Sequence, residues 1–125
     1  MRTWMVNPKL MCDVHLTKEH RDCHGIAHLT NSQEQIERIR KLAEEGKVEM
    51  QSLIPRHAEL AEEMLKRGMS HQSPLPKHLE EDITRHSLGG VVDRFSSSME
   101  LCIQCKNCAG LIARAKRKEE KEELK

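Results

Sequence analysis

Polar and ionisable side chains crowd the segment that follows the first proline of the chain. His15, Lys18 and Asp22 are spaced by three and four residues, which places them on one face of a helix. Glu19 lies at the edge of the same face. An ordinary core helix would carry an apolar stripe through this stretch. The face is instead unusually polar, which is typical of a functional site.

The α-amine of Met1 is a second reactive group whose reach is compatible with a position beside this face. A free α-amine has a reference pKa of about 7.7 to 8.0, so an appreciable fraction is unprotonated and nucleophilic at neutral pH. An extended run from Pro8 back to Met1 spans about 23 Å, and a helix from Pro8 to Asp22 rises about 21 Å. A segment folded back along the helix therefore brings the amine to the carboxylate. Because Arg2 is a large neighbour, we expect Met1 to be retained after deformylation.

Cysteine spacing indicates a second group of residues that could do chemistry. Cys102, Cys105 and Cys108 form a Cys-x-x-Cys-x-x-Cys run, and Cys-x-x-Cys is half of a zinc-binding motif. Cys12 and His15 have the same spacing and could complete four zinc ligands with Cys105 and Cys108. Since the two pairs lie at opposite ends of the chain, we favour buried reduced thiols and no cofactor over a zinc ion.

The first residues occur in an order that resembles a known enzyme family. Met1 and Arg2 are followed by an Asn7-Pro8 helix start and by the sequence HLTKEHRDCH over residues 15–24. A second block, RHAELAEEMLKRG over residues 56–68 followed by MSH and SPL, is similar to a second signature of the same family. The two blocks cover a little under half of the chain and resemble the pyrimidine dimer DNA glycosylases, ultraviolet repair enzymes of the phage endonuclease V type.

This resemblance implies a DNA repair enzyme of all-α fold that combines DNA glycosylase and abasic-site lyase activities, acting on pyrimidine dimers. In such enzymes the N-terminal α-amine attacks the deoxyribose, expels the base and holds the sugar as a Schiff base for strand cleavage. Carried onto this chain, the catalytic residues are Met1 and Asp22, with Glu19 as an alternative carboxylate. The family's carboxylate is ordinarily a glutamate, which is one methylene longer than Asp22. The expected DNA contacts are Arg2, His15, Arg21, Arg56, Arg67 and His71.

Other interpretations of the same residues stay open. Charged side chains on the first helix could form only surface ion pairs. A non-catalytic DNA-binding module, or a zinc-stabilised interaction module, could use the same scaffold, and a related glycosylase could act on another modified base. The repeat of His20, His24 and His28 could bind a metal, but we interpret it as mainly polar surface. The expected partner is double-stranded damaged DNA, bound by a monomer.

Helical periodicity and capping residues predict the elements that position these groups. An extended strand over residues 1–6 should precede a helix from Pro8 to about residue 29. Ser32 and Gln35 form a capping box for a second helix that ends at Gly46. A third helix should cover residues 53–67 with Ile54, Leu60, Ala61, Met64 and Leu65 on its core side. Residues 69–90 should be mostly loop, with one short helical turn at most.

The C-terminal part should form one last helix. Val92, Phe95, Met99 and Ile103 recur at helical spacing, and the helix could continue past the cysteines to Arg114. Residues 116–125 form a run of mixed charge that we expect to be a solvated, frayed helix end. The predicted architecture is thus a small helical bundle with an extended N-terminal segment along the first helix.

Length and composition agree with one such domain over residues 1–125. Hydrophobic residues make up 37% of the chain and charged residues 33%, with one Trp, one Phe and no Tyr. So few aromatics disfavour nucleic-acid-binding sheets that stack bases on aromatic side chains. The net charge is +1, so an anion site must be local. No run approaches the roughly 20 apolar residues of a membrane span, and we expect a cytoplasmic protein.

Overall fold

The computed structural model describes residues 1–70 and 73–123, and 72% of these described residues are helical. Its six α-helices are α1 (Asp13–His28), α2 (Gln33–Glu44), α3 (Leu53–Lys66), α4 (Leu79–Arg85), α5 (Arg94–Gln104) and α6 (Lys106–Glu123). The described ranges contain no strand. The predicted small all-α fold is therefore confirmed. None of the helices in these ranges is long and apolar enough to cross a membrane.

The first predicted helix is divided in two. Asn7 caps a single 3-10 turn, Pro8–Leu10, by accepting a hydrogen bond from the backbone N–H of Lys9 at 3.1 Å. The backbone is extended at Met11 and Cys12, and α1 begins only after them. The prediction of one helix from Pro8 was wrong in this respect, because Met11 leaves the helical path to bury its side chain completely. Gly25 does not interrupt α1.

Local signals placed α2 and α3 correctly. Ser32 accepts a hydrogen bond from the backbone N–H of Gln35 at the start of α2. Gly46 and Gly68 follow α2 and α3 with φ of 73° and 81°, a conformation that favours glycine and ends helices.

The predicted core side of α3 needs one correction. Leu65 and Ile54 are exposed, because they lie where α3 faces the loop before α4 rather than the core.

Residues 1–6 form no regular strand, so that prediction was wrong. The segment hydrogen-bonds instead to the loop that follows α2. The Thr3 N–H donates to the Lys47 carbonyl at 2.8 Å, and the Glu49 N–H donates to the Thr3 hydroxyl at 3.3 Å. Met5 then has a φ of 57°, a conformation that is costly for a residue with a side chain. The surrounding contacts therefore hold the N-terminal segment in place against local strain.

The C-terminal part differs from the prediction in three ways. Residues 79–85 form the two turns of α4 within the expected loop. The last helix is broken at Cys105, whose backbone is extended, so that α5 and α6 meet there at a corner. Val92 lies before the start of α5, and the other three residues of the predicted spacing are exposed, Phe95 by 72%, Met99 by 48% and Ile103 by 81%. A periodic apolar face is buried only where another element covers it.

One hydrophobic core connects all of these elements. Helices α1 and α3 form its centre, with fully buried Leu16, Ile26 and Leu60. Leu101 of α5 and Cys108 of α6 join the same core. The N-terminal segment adds Trp4 and Val6. The N-terminal segment, α5 and the first turns of α6 thereby join the core built on α1 and α3.

Candidate functional site

Asp22 contacts the N-terminal segment directly. One of its carboxylate oxygens accepts a hydrogen bond from the backbone N–H of Arg2 at 3.3 Å. The Nζ atom of Lys18, one helical turn earlier, lies 3.6 Å from the same oxygen. The Asp22 side chain is 15% exposed, so its carboxylate is partly shielded but reachable from solvent.

Met1 lies beside this carboxylate. Covalent geometry keeps the α-amine within about 3.7 Å of the Arg2 nitrogen, and hence within about 7 Å of the Asp22 carboxylate. The Met1 side chain crosses α1 at Gly25, where its Sδ atom would lie 2.8 Å from an added Cβ. Any larger residue at position 25 would push the Met1 side chain away. Glycine at this position thus allows the N-terminus to approach the helix closely.

A pocket of about 320 Å³ opens next to Met1. Its other lining residues come from the end of α2 and are Arg38, Lys41, Leu42 and Glu45. Two cations and the carboxylate of Glu45 therefore lie near Met1 in a concave surface, and the two cations are suited to contact a phosphate. The sequence interpretation missed Arg38 and Lys41. Their signal was their spacing of three residues next to the buried positions Ile36 and Ile39, which puts them together at one edge of α2.

The side chain of Arg2 points into the protein. Its guanidinium stacks on the Trp4 ring at 3.7 Å and pairs with Glu100 of α5 at 2.6 Å. It also donates to the hydroxyl of Ser97 at 3.4 Å, and that hydroxyl donates to the Trp4 carbonyl. Arg2 therefore holds the N-terminal segment against α5. Its guanidinium is occupied by these contacts and is not available to bind DNA in this conformation.

Glu19 and Arg56, both candidates from the sequence, form an ion pair inside the protein. Arg56 donates from Nε and from one terminal nitrogen to the two oxygens of Glu19, at 2.6 and 3.0 Å. The side chains are 0% and 2% exposed. Burial disfavours the charge of Arg56, but the hydrogen bonds and the charge of Glu19 outweigh burial and raise the pKa of the guanidinium. This burial argues against the expected DNA contact of Arg56, and both carboxylate oxygens of Glu19 accept hydrogen bonds from Arg56.

Of the other expected DNA contacts, Arg21 is on the surface and Arg67 makes contacts within the protein. Arg21 is exposed. Arg67 is 20% exposed and its guanidinium contacts Asp13, Glu63 and the Pro8 carbonyl, so it joins the end of α3 to the start of α1. His71 lies outside the described residues.

His15 lies in the cluster of possible zinc ligands, which from the sequence was the less favoured alternative. Its Nδ1 lies 3.4 Å from the Cys12 Sγ, and its ring meets the edge of Trp4 with centroids 6.1 Å apart. The metal-binding atoms of Cys12, His15, Cys105 and Cys108 all lie within 4.8 Å of one another. The fold has therefore brought together the two pairs that the sequence left at opposite ends.

The remaining cysteines lie outside this cluster. Cys23 is fully buried in the core, and burial raises the pKa of its thiol to about 12. Cys102 is half-buried on α5. The Cys-x-x-Cys-x-x-Cys run thus contributes its last two members to the cluster and not its first.

Histidines of α1 and α3 form a further cluster. The Nε2 atoms of His24 and His57 lie 3.1 Å apart, and the ring of His20 stacks on that of His57 at 4.8 Å. His20 and His57 are buried, so the interpretation of His20 as polar surface was wrong, whereas His28 is exposed. A hydrogen bond between two imidazoles needs one donor and one acceptor nitrogen. At least one ring of the pair is therefore neutral when the bond is made.

Comparison with known proteins identifies the N-terminal part of the chain. A family model described as pyrimidine dimer DNA glycosylase matches residues 1–77, more than half of the 125 residues. No curated protein and no solved structure matched the chain. The matched segment contains Met1, Asp22 and the two cations of α2, and it ends before Cys105 and Cys108. By this match, the chain belongs to the pyrimidine dimer DNA glycosylase family.

Proposed function

We propose that the protein is a DNA repair glycosylase with abasic-site lyase activity that acts on pyrimidine dimers in double-stranded DNA. The observation that carries the proposal is the hydrogen bond from the Arg2 N–H to Asp22, within the segment that the family model matches. It keeps a primary amine and a carboxylate within about 7 Å of each other. A sugar carbon attacked by the amine would therefore lie near the carboxylate.

In the proposed reaction the Met1 α-amine attacks C1′ of the damaged nucleotide. A new bond forms between nitrogen and C1′ while the bond from C1′ to the base breaks, and the base leaves with the electron pair and takes up a proton. Opening of the sugar ring and loss of the amine protons give an imine. Removal of a proton from C2′ then expels the 3′ phosphate by β-elimination, which cuts the strand.

Asp22 supports this sequence by its charge. A carboxylate near C1′ stabilises positive charge that develops on the sugar and later on the imine, and it can accept a proton. Aspartate is shorter than the family's usual glutamate by about 1.5 Å. The contact with Arg2 supports the view that the N-terminal segment lies close enough for the shorter side chain to serve.

The DNA backbone would lie across the pocket beside Met1. Arg38 and Lys41 line this pocket, and Arg21 is exposed on α1. Cations of this kind hold phosphates and set the position of the duplex without reading its sequence. We propose that the protein binds the DNA as a monomer and that the chemistry uses no cofactor.

Lys18 is the obvious competitor for the nucleophile, because its Nζ atom lies 3.6 Å from Asp22. Borohydride reduction of the imine on duplexes with an abasic site, a cyclobutane dimer or no lesion separates the two amines. We expect a trapped adduct with both lesions, and mass spectrometry of the digested adduct should place the sugar on the N-terminal peptide. Lys18→Arg keeps the positive charge but removes the competing amine, so the variant protein should still form the borohydride-trapped adduct.

Two results would reject parts of the proposal. An adduct on the peptide that contains Lys18, lost in Lys18→Arg, would make that lysine the nucleophile. Absence of any adduct or cleavage with both lesions would favour the non-catalytic DNA-binding module on the same scaffold.

A further inference from the structure

The cluster of Cys12, His15, Cys105 and Cys108 has the composition and size of a metal site. Three thiols and an imidazole are a common ligand set of structural zinc. Each residue offers one ligand atom, and these atoms all lie within 4.8 Å of one another. We propose that these four residues bind one structural zinc ion.

The distances fit a tetrahedral ion. With bonds of about 2.3 Å to sulfur and about 2.0 to 2.1 Å to nitrogen, tetrahedral zinc separates two sulfurs by about 3.8 Å and a sulfur from a nitrogen by about 3.5 Å. The Sγ atoms of Cys12 and Cys105 lie 3.7 Å apart, and the Cys12 Sγ lies 3.4 Å from the His15 Nδ1. The pair of sulfurs is too far apart for a disulfide, which needs about 2.05 Å.

Both pairs of ligands are presented in the same way, at the start of a helix. Cys12 is the residue before α1 and His15 lies in its first turn, while Cys105 precedes α6 and Cys108 lies in its first turn. Each pair therefore has the two-residue gap that brings both ligand atoms to one side of a helix end. The break between α5 and α6 at Cys105 is what turns the second pair towards the first.

Backbone N–H groups point at the sulfurs. The Cys12 N–H donates to the Cys108 Sγ at 3.2 Å, and the Cys108 N–H donates to the Cys105 Sγ at 3.5 Å. Hydrogen bonds of this kind fix the positions of the two sulfurs as ligands. With four protein ligands the site is closed, so the ion has a structural role and leaves no position for substrate.

The ion would join the two parts of the chain. Cys12 and His15 lie in the segment that the family model matches, and Cys105 and Cys108 lie beyond it. His15 also contacts Trp4, on which Arg2 stacks. The zinc ion would thus fasten the C-terminal helices to α1 and steady the N-terminal segment. This inference stands apart from the proposed DNA chemistry, since metal content is measured without DNA.

Metal content of the full-length protein tests the proposal. Protein purified from zinc-supplemented cells and dialysed should contain about one zinc ion per chain. Removing the ion with a strong chelator should lower the Tm by at least about 10 °C. Titration of the metal-free protein with Co²⁺ should saturate at one equivalent, with the visible bands of a tetrahedral site and a thiolate charge-transfer band.

Variants assign the ligands. Cys105→Ser and His15→Ala should lose most of the zinc, whereas His15→Cys restores a four-ligand set and should retain it. Cys102→Ser is the matched control, because Cys102 belongs to the same cysteine run but not to the cluster, and it should keep about one zinc per chain. These readouts do not depend on activity.

Three outcomes would overturn the proposal. The first is wild-type protein that contains no zinc and whose Tm is unchanged by chelator. The second is bound Co²⁺ without a thiolate band, which would place the metal at His20, His24 and His57 instead. The third is equal loss of zinc in Cys102→Ser and Cys105→Ser. The wild-type measurements apply even if a ligand variant fails to fold.

Discussion

Glu19 and Arg56 form a buried ion pair joined by two hydrogen bonds between α1 and α3, while Asp22, three residues after Glu19, contacts the N-terminus. Two carboxylates on adjacent turns of one helix thus have separate environments. One is a desolvated structural charge, and the other is partly exposed beside a primary amine. This difference supports our proposal that Asp22, and not Glu19, is the catalytic carboxylate.

Removing the charge of Glu19 should destabilise the fold. Loss of one partner of a buried pair leaves the other charge uncompensated and typically costs about 3 to 5 kcal/mol. Glu19→Gln should therefore reduce the free energy of unfolding measured by urea denaturation. Glu59, which is 55% exposed and lies 3.3 Å from Arg56, provides the control, because Glu59→Gln should cost less than about 1 kcal/mol. A stable Glu19→Gln protein with normal DNA binding and no cleavage would instead make Glu19 the catalytic carboxylate.

Removing the charge of Asp22 should impair chemistry more than binding. Asp22→Asn keeps the size of the side chain, but the neutral amide cannot stabilise a cationic sugar or accept a proton. Single-turnover cleavage of a dimer-containing duplex should fall by at least about a hundredfold, with DNA affinity nearly unchanged. Asp22→Glu restores the reach of the family's glutamate and should keep or raise the rate. Equal rates for wild type and Asp22→Asn would exclude Asp22 from the mechanism.

Neutralising the α2 cations should weaken DNA binding in a salt-dependent way. Each phosphate contact adds about 0.9 to the slope of log affinity against log salt. Arg38→Gln and Lys41→Gln should each lower that slope by about one contact, measured by fluorescence anisotropy at several salt concentrations. Arg117→Gln, in the exposed part of α6, should leave the slope unchanged. If all three variants behave alike, the pocket beside Met1 does not hold the DNA backbone.

Acid should weaken the ion pair by which Arg94, at the start of α5, is held to Glu49 in the segment before α3. Hydrogen bonds from Arg94 are the main cause that lowers the pKa of Glu49 from 4.5 to about 2, with further donors in Ser52 and the Val92 N–H. Because the folded pKa is the lower one, this contribution is complete above about pH 4.5 and is lost as pH falls towards 2. Because Arg94 is half-exposed and solvent screens the pair, we expect Glu49 to contribute about 1 to 2 kcal/mol to the free energy of unfolding above about pH 4.5.

Urea denaturation at several pH values measures this effect. Glu49→Gln should remove part of the loss of stability between about pH 5 and pH 2. Glu45, which is exposed and pairs with Lys47, supplies the control, and Glu45→Gln should follow the wild-type pH profile. A wild-type profile in Glu49→Gln as well would show that Glu49 does not contribute.

Features set by neighbouring residues could be predicted from the sequence. The Ser32 cap, the ends of α2 and α3 at Gly46 and Gly68, and the polar face with Lys18 and Asp22 each depend on residues within a few positions of one another. Their hydrogen bonds and dihedral preferences are local, so the sequence determines them almost alone. The N-terminal block together with the block at residues 56–68 was also sufficient to identify the family.

Burial and partner choice depended on the tertiary structure. Glu19 is 37 positions away from Arg56, and Cys12 is 93 positions away from Cys105, so no local pattern could show that they meet. Phe95 and Ile103 have the same helical spacing as core residues, yet nothing among the described residues covers them. The sequence by itself determined which residues lie on one face of a helix. Only the packing of the helices decided which faces are desolvated. A face is buried when a second element covers it, and the residues of one segment do not specify that partner.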